Sequence, residues 1–301
     1  MRVHLVIDFM HIFYKYFFQL QAGKLRELSN ESEELESLNG DCTMVYYPLK
    51  DIEGLRKKAE GNGNDVTLSI CFDNKSKRKD TDVTGAVEYK ANRGHKLGEK
   101  EFDSIRVIKE QLRKIGYNVY DIEGFEADDI VADLVEKYKD SFDYTVVITN
   151  DKDVLASVCD NVGAMRFKSY KGYQQVTKEN FAEYLSAEFK CDIRYNNLRL
   201  FLSSVGDKAD NIAGIHKFGP KAFDKLVSSL DSLVDWETAT TEEMIEKSKS
   251  FLDDVQYKQL VDSYMLVKNY SIDSLDKPVK NDSSETRKRV YEQLMMPSLI
   301  G

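Results

Sequence analysis

The sequence predicts an α/β fold, with a mainly parallel central sheet covered by helices and a C-terminal all-helical region. Three observations carry this. Short apolar runs alternate with amphipathic helical patterns through the first half of the chain. Those runs are apolar almost throughout, as in strands buried on both faces. After Glu179 only helical periodicity remains.

Taken in order, strands are expected at 3–8, 66–72, 117–122, 145–149 and 163–167. Helices are expected at about 9–20, 43–60, 99–115 and 127–139, and GNGND at 61–65 is a turn between helix and strand. Beyond Glu179 the helical patterns fall at 179–190, 196–204, 220–230, 241–250, 254–268 and 285–295. No internal repeat is visible. The expected division is a sheet domain over 1–190 and a helical region over 191–301.

Composition narrows the function classes. The chain has 301 residues, 42% hydrophobic and 32% charged, which suits a folded globular protein rather than a disordered one. No apolar run approaches the roughly 20 residues needed to span a membrane. The chain opens on the apolar run VHLVID without a secretory leader, so no membrane partner and a cytoplasmic location are expected. Cys42, Cys71, Cys159 and Cys191 form no C-x-x-C pair, so reduced thiols are expected rather than zinc or disulfides. His4, His11, His95 and His216 have no ligand spacing, and packing or surface roles are expected for His11 and His216.

The net charge of −9 argues against a nucleic-acid partner, but its distribution does not. Residues 74–100 hold eight basic side chains (Lys75, Lys77, Arg78, Lys79, Lys90, Arg93, Lys96 and Lys100) against four acids. A separate acid-rich block, 27–36, reads as a solvated loop or helix face.

The chemistry lies in the acids. Parallel sheets bind ligands at the carboxyl ends of their strands. One strand ends at Asp8, one at Asp73, one runs into Asp151 and Asp153, and one leads to Glu126, Asp128 and Asp129. Alone, GFEADDIVADLV would be an acidic first turn complementing the helix dipole, at about 0.3–1 kcal/mol per residue. Four strands delivering acids to one rim exceed what capping explains. Crowded carboxylates repel unless a cation is present, and an all-oxygen set points to Mg²⁺ or Mn²⁺. Asp207 and Asp210, in VGDKADNIAGI, join this set only if the fold returns their loop to the rim. These nine acids equal the net charge of −9, so the acidity is not a general surface property. In GIHKFGPKAF, Gly214 and Gly219 bracket a turn before Pro220, where backbone N–H groups with Lys217 and Lys221 could bind a phosphate.

Six ordered blocks between residues 3 and 227 resemble the structure-specific 5′ nucleases, or flap endonucleases and 5′-3′ exonucleases, with a PIN-like sheet domain. They are VIDFMHIFYKYF, SICFDNKSKRKD, EYKANR, GFEADDIVADL, VVITNDKDVLASV and VGDKADNIAGIHKFGPKAF. IDF and ITNDKD look closest to small, free-standing, phage-encoded members, which would place the protein in a host cytoplasm. The resemblance implies that Asp8, Asp73, Glu126, Asp128, Asp129, Asp151, Asp153, Asp207 and Asp210 bind two metal ions. It implies catalytic roles for Lys90 and Arg93 at the foot of a helical arch within about 75–105, and base stacking for Tyr89. Lys75, Lys77, Arg78 and Lys96 would contact DNA. The last block resembles a helix–three-turn–helix at about 197–230 that holds duplex DNA, often with K⁺, through Gly214, Lys217, Gly219 and Lys221. Phe9, Ala213 and Lys217 depart from the usual Gly, Pro and Gly. Asp133 matches no metal position and reads as a solvated residue or a local hydrogen-bond acceptor.

The expected activity is therefore Mg²⁺-dependent hydrolysis of DNA near a 5′ flap, nick or free 5′ end, in replication or repair, with RNA–DNA hybrids as further substrates. A monomer is expected, and any replication-protein partner is unspecified. The alternatives are a PIN-type single-strand ribonuclease and a Mg²⁺-dependent small-molecule phosphatase. GDKADN with its helix–turn–helix disfavours the first. Phe9-Met10 after Asp8, in place of D-x-D, disfavours the second.

Overall fold

The computed structural model describes residues 1–30, 32–77, 89–90, 97–168, 171–280 and 284–300. Two compact units interleave along the chain. Met1–Asn74, His95–Asn150 and Ile272–Gly301 form the first, and Lys75–Gly94 with Asp151–Ser271 form the second. The division expected at residue 190 follows chain order instead.

The first unit is built on four parallel strands: β1 (Arg2–Asp8), β2 (Asp65–Cys71), β3 (Asn118–Tyr120) and β4 (Tyr144–Ile148). Their spatial order is β3-β2-β1-β4. β1 is paired on both sides, and every residue of it after Arg2 is buried. That explains its largely apolar run, interrupted only by His4 before Asp8. Val6, Ile7, Ile70 and Ile148 are fully buried, each worth about 1.5–3 kcal/mol of hydrophobic stabilisation. The register sets Asp8 opposite Cys71 and Ile7 opposite Ile148, so three strands end level with one another.

Helices cover this sheet. α1 (Phe9–Gln21) starts directly after β1, capped by the Asp8 carboxylate, which accepts the His11 N–H at 3.4 Å. Its apolar stripe buries Phe9, Ile12 and Phe13, and the Phe9 ring stacks on Phe72 at 4.3 Å. α2 (Glu33–Ser37) forms within the acid-rich block because Ser32 caps it, Leu35 is buried and Glu34 pairs with Lys114. α3 (Cys42–Gly61), α4 (Glu99–Ile115) and α5 (Ala127–Tyr138) follow close to the expected bounds. A C-terminal helix, Ser284–Gln293, is tied down by Tyr291, whose hydroxyl donates to buried Glu53 at 2.8 Å.

The second unit holds an antiparallel hairpin of β5 (Val162–Lys168) and β6 (Gly172–Val176). β6 is not visible in the sequence because a leading Gly and two Gln give it little β-pattern. Five helices come next: α6 (Phe181–Phe189), α7 (Leu198–Val205), α8 (Pro220–Leu230), α9 (Thr241–Ser248) and α10 (Asp254–Val267). Their bounds fall within two residues of expectation. Phe201 joins α6 to α8, meeting Phe189 at 4.8 Å and Phe223 edge-on at 5.1 Å. All four cysteines are free thiols. Among the described residues no helix is long and apolar enough to cross a membrane.

His4 has a packing role. It is buried in β1, its Nε2 lies 2.7 Å from Ser69 Oγ, and its ring stacks on Phe142 at 4.4 Å. Burial pushes its pKa down to about 3. A depressed folded-state pKa gives stability that is present above the unfolded value near 6.5 and is lost as pH falls. Between pH 6.5 and 5, urea unfolding should therefore show the parent losing roughly 2 kcal/mol more than His4→Gln. Parallel pH curves for the two proteins would refute this.

Candidate active site

Each unit gathers its own group of acids. In the first, Asp8 is 8% exposed and accepts the Thr149 hydroxyl at 3.0 Å, besides capping α1. Asp73, just past β2, accepts the N–H of Ala127, the first residue of α5, at 2.8 Å. Glu126 occupies the N-cap of α5, and its N–H donates to Asp129, which is 1% exposed. Ile130, Val131 and Leu134 bury the other face and fix the helix. Burial pushes the Cys71 thiol well up, and the charges of Asp8, Asp128 and Asp73 push it further. That thiol therefore senses three of the five acids at once.

The second group lies in the other unit. A 3₁₀ turn at Asp153–Ser157 begins where Asp151 accepts the Asp153 N–H at 3.0 Å. Asp153 is 9% exposed, and its carboxyl is held well above the usual carboxylate range, first by burial and then by Asp151, Asp210 and Asp207. Two lysines oppose that charge. Lys152 Nζ lies 2.7 Å from Asp207 Oδ2. Lys90 Nζ lies 4.0 Å from Asp210 Oδ2, and the Lys90 N–H donates to the Asp210 carbonyl at 3.1 Å.

The loop between α7 and α8 holds Asp207 and Asp210 in place. Asp207 and Ile212 exchange both backbone hydrogen bonds, at 2.9 and 2.8 Å. The crossing is so close that only glycine fits at Gly206 and Gly214. A Cβ on Gly214 would lie 2.5 Å from Gly206 N and 2.7 Å from Ser204 O, and its φ is +67°. Lys217 adopts φ +57°, so the turn takes the left-handed geometry despite lacking glycine there. Gly219 is the N-cap of α8, Pro220 its first residue, and Lys217 and Lys221 are exposed.

The acids are gathered but not closed into a shell. Among the described residues no three His, Cys, Asp or Glu side chains stand ready around one metal position. Lysines, the Thr149 hydroxyl and backbone N–H groups take carboxylate oxygens instead. The donor chemistry, carboxylates without Cys or His, fits a hard divalent cation.

Residues 3–186 match the family model described as 5′-3′ exonuclease, N-terminal resolvase-like domain. The chain belongs to this family. A 5′-3′ exonuclease of Aquifex aeolicus is 28% identical over 242 residues, covering 77% of this chain and 76% of that one. A 5′-3′ exonuclease of Buchnera aphidicola from Acyrthosiphon pisum is 30% identical over 200 residues, covering 66% and 65%. The matched segments span only 56% and 65% of the two Buchnera relatives. A bacteriophage T5 flap endonuclease, solved as a pseudo-enzyme–product complex with DNA and metal ions, shares the fold at a TM-score of 0.57. It is 17% identical and is matched over 98% of this chain and 100% of that one.

Within this 5′-3′ exonuclease fold, Arg78, Arg93 and Lys96, with most of the expected arch, lie outside the described residues. Lys75 and Lys77 are exposed. Tyr89 is only 7% exposed, with Lys90 Nζ 5.0 Å from its ring centroid, so little of the ring is open to a base. Asp133 is not solvated. It is buried, accepts the Ile272 N–H at 3.3 Å and pairs with Lys137 at 2.9 Å, which makes it a hydrogen-bond acceptor. Lys152 does not stand out in the sequence, because a lysine between two acids reads as a solvated charge.

Gly214→Ala should destabilise the protein by more than about 2 kcal/mol in denaturant unfolding, since strain and a backbone clash combine. A change under about 0.5 kcal/mol would show that the loop can open without cost.

Proposed function

We propose that this protein is a divalent-metal-dependent 5′ nuclease that hydrolyses DNA phosphodiester bonds near a 5′ end or a single-strand/duplex junction. The observation that carries the reading is the buried second acid group, where Asp153 is crowded by Asp151, Asp207 and Asp210. Such crowding suits a cation site. Family membership and the T5 relative's complex with DNA and metal ions support the same reading.

Asp8, Asp73, Glu126, Asp128 and Asp129 would hold one Mg²⁺ or Mn²⁺, and Asp151, Asp153, Asp207 and Asp210 another. Bound there, divalent cations supply water activation and stabilise the leaving oxygen. The chain's own side chains do the rest. Lys90, with Arg93, neutralises charge developing on the phosphate oxygens. The Asp210 contact, at 4.0 Å, pre-positions Lys90. Lys217, Lys221 and the backbone N–H groups at the start of α8 would contact duplex phosphates, and the 206–219 turn would hold any K⁺. A flap, nick or RNA–DNA hybrid would serve as substrate.

Purified protein with Mg²⁺ or Mn²⁺ should cut a 5′-flapped duplex, and EDTA should abolish the cutting. Intact flap, nicked and RNA–DNA hybrid substrates would refute the reading. Lys90→Ala should lower single-turnover cleavage by roughly 10²–10³ while duplex affinity stays within about twofold. Equal loss of both would reassign Lys90 to binding.

A further inference from the structure

A second polar site lies in the first unit, away from the acids. Its cavity of about 170 Å³ is lined by Arg56, Glu60, Tyr117, Asn118, Lys280 and Arg287, among others. From β2 it takes Val66 and Leu68. Val66 is five residues before Cys71, roughly 16 Å along an extended strand, so the cavity is not part of the Asp8–Asp73 group.

Its two guanidinium groups keep N–H groups without a protein acceptor among the described residues. The Arg56 side chain is 7% exposed; Nε donates to Glu53 Oε2 at 2.8 Å and Nη1 reaches Glu60. Its Nη2 has no hydrogen-bond partner among the described residues. The Arg287 side chain is 15% exposed, and the acid near it is that same Glu53 oxygen, at 3.9 Å. It makes no hydrogen bond among the described residues. Glu53 Oε1 meanwhile accepts two hydroxyls, from Tyr117 at 2.7 Å and Tyr291 at 2.8 Å. One carboxylate is thus shared by two guanidinium groups and two phenols. Glu60 is 42% exposed, and Lys280 pairs with a half-exposed Asp65, so both of those acids are screened by water.

Guanidinium N–H groups that face a water-reachable cavity without a protein acceptor are open to an anion that supplies oxygens. Glu53 and Glu60 take the Arg56 Nε and Nη1 groups, while Arg56 Nη2 and the whole Arg287 fork are left to an acceptor in the cavity, which a tetrahedral phosphate provides. The volume corresponds to about five or six waters, enough for a phosphate with residual water but not for an enclosed nucleotide. We infer that this cavity binds a phosphate group, held by Arg56 and Arg287 with Lys280 at its wall. The source is inorganic phosphate or the phosphate of a phosphomonoester whose remainder stays outside.

The test is thermal unfolding and calorimetric titration in EDTA, at ionic strength matched with NaCl, using inorganic phosphate and, separately, deoxyadenosine 5′-monophosphate. Saturable stabilisation by phosphate is expected. Arg287→Gln should weaken it at least about tenfold, and Arg287→Lys, which keeps the charge but loses the fork, should fall between. Lys90→Ala should leave phosphate affinity unchanged, which excludes binding at the acid groups. Tighter binding of the nucleotide than of phosphate would assign the site to a phosphomonoester, and equal binding would assign it to the phosphate alone. No saturable binding up to about 10 mM, or equal binding by the parent and both folded Arg287 variants, would overturn the inference.

Discussion

Like charge held at low exposure governs how both units are built. Asp153 sits at 9% exposure with three further carboxylates acting on it. Taking ionised groups out of water costs several kcal/mol each unless partners replace the lost hydration. Each unit supplies such partners in its own way. The second uses lysines, Lys152 against Asp207 and Lys90 against Asp210. In the first, the Thr149 hydroxyl donates to buried Asp8, and the Ala127 N–H at the positive end of α5 donates to the exposed Asp73.

The fold makes those partners available because the acids also serve as structural caps. Asp8 ends β1 and begins α1, so the carboxylate that would hold a cation also satisfies an N–H of the first turn. Asp73 reaches from the end of β2 to the first residue of α5. Parallel register brings the strand ends level, and β1, paired on both sides and buried from Val3 on, holds that register. In the second unit the same rigidity comes from backbone contact at Gly206 and Gly214, which locks the loop carrying Asp207 and Asp210.

Much of this was legible in the sequence, for physical reasons that differ between elements. The strands at Asp8 and Asp73 could be read because a short, continuous apolar run bounded by turn residues suits a strand buried on both faces. The helices were legible from period and caps, and α8 in particular from Gly219-Pro220. β6 was not, because an edge strand beginning with Gly carries little apolar signal. Asp133 sits one turn from the acids yet serves Ile272, a residue 139 positions away, and no local pattern reveals that partner. Glu53 and Arg56 look like ordinary charges on a mixed helix. Only tertiary contact with Tyr117, Tyr291 and Arg287 makes them a buried network.

Whether the acid groups exist to hold cations can be decided by a Mn²⁺ titration followed by electron paramagnetic resonance, without substrate. If they do, the parent should bind two ions per chain. Asp73→Asn, which keeps an oxygen to cap α5, should remove one, and Asp153→Asn the other. Unchanged stoichiometry in both variants, or no Mn²⁺ bound by the folded parent, would show that the acids serve some purpose other than metal binding.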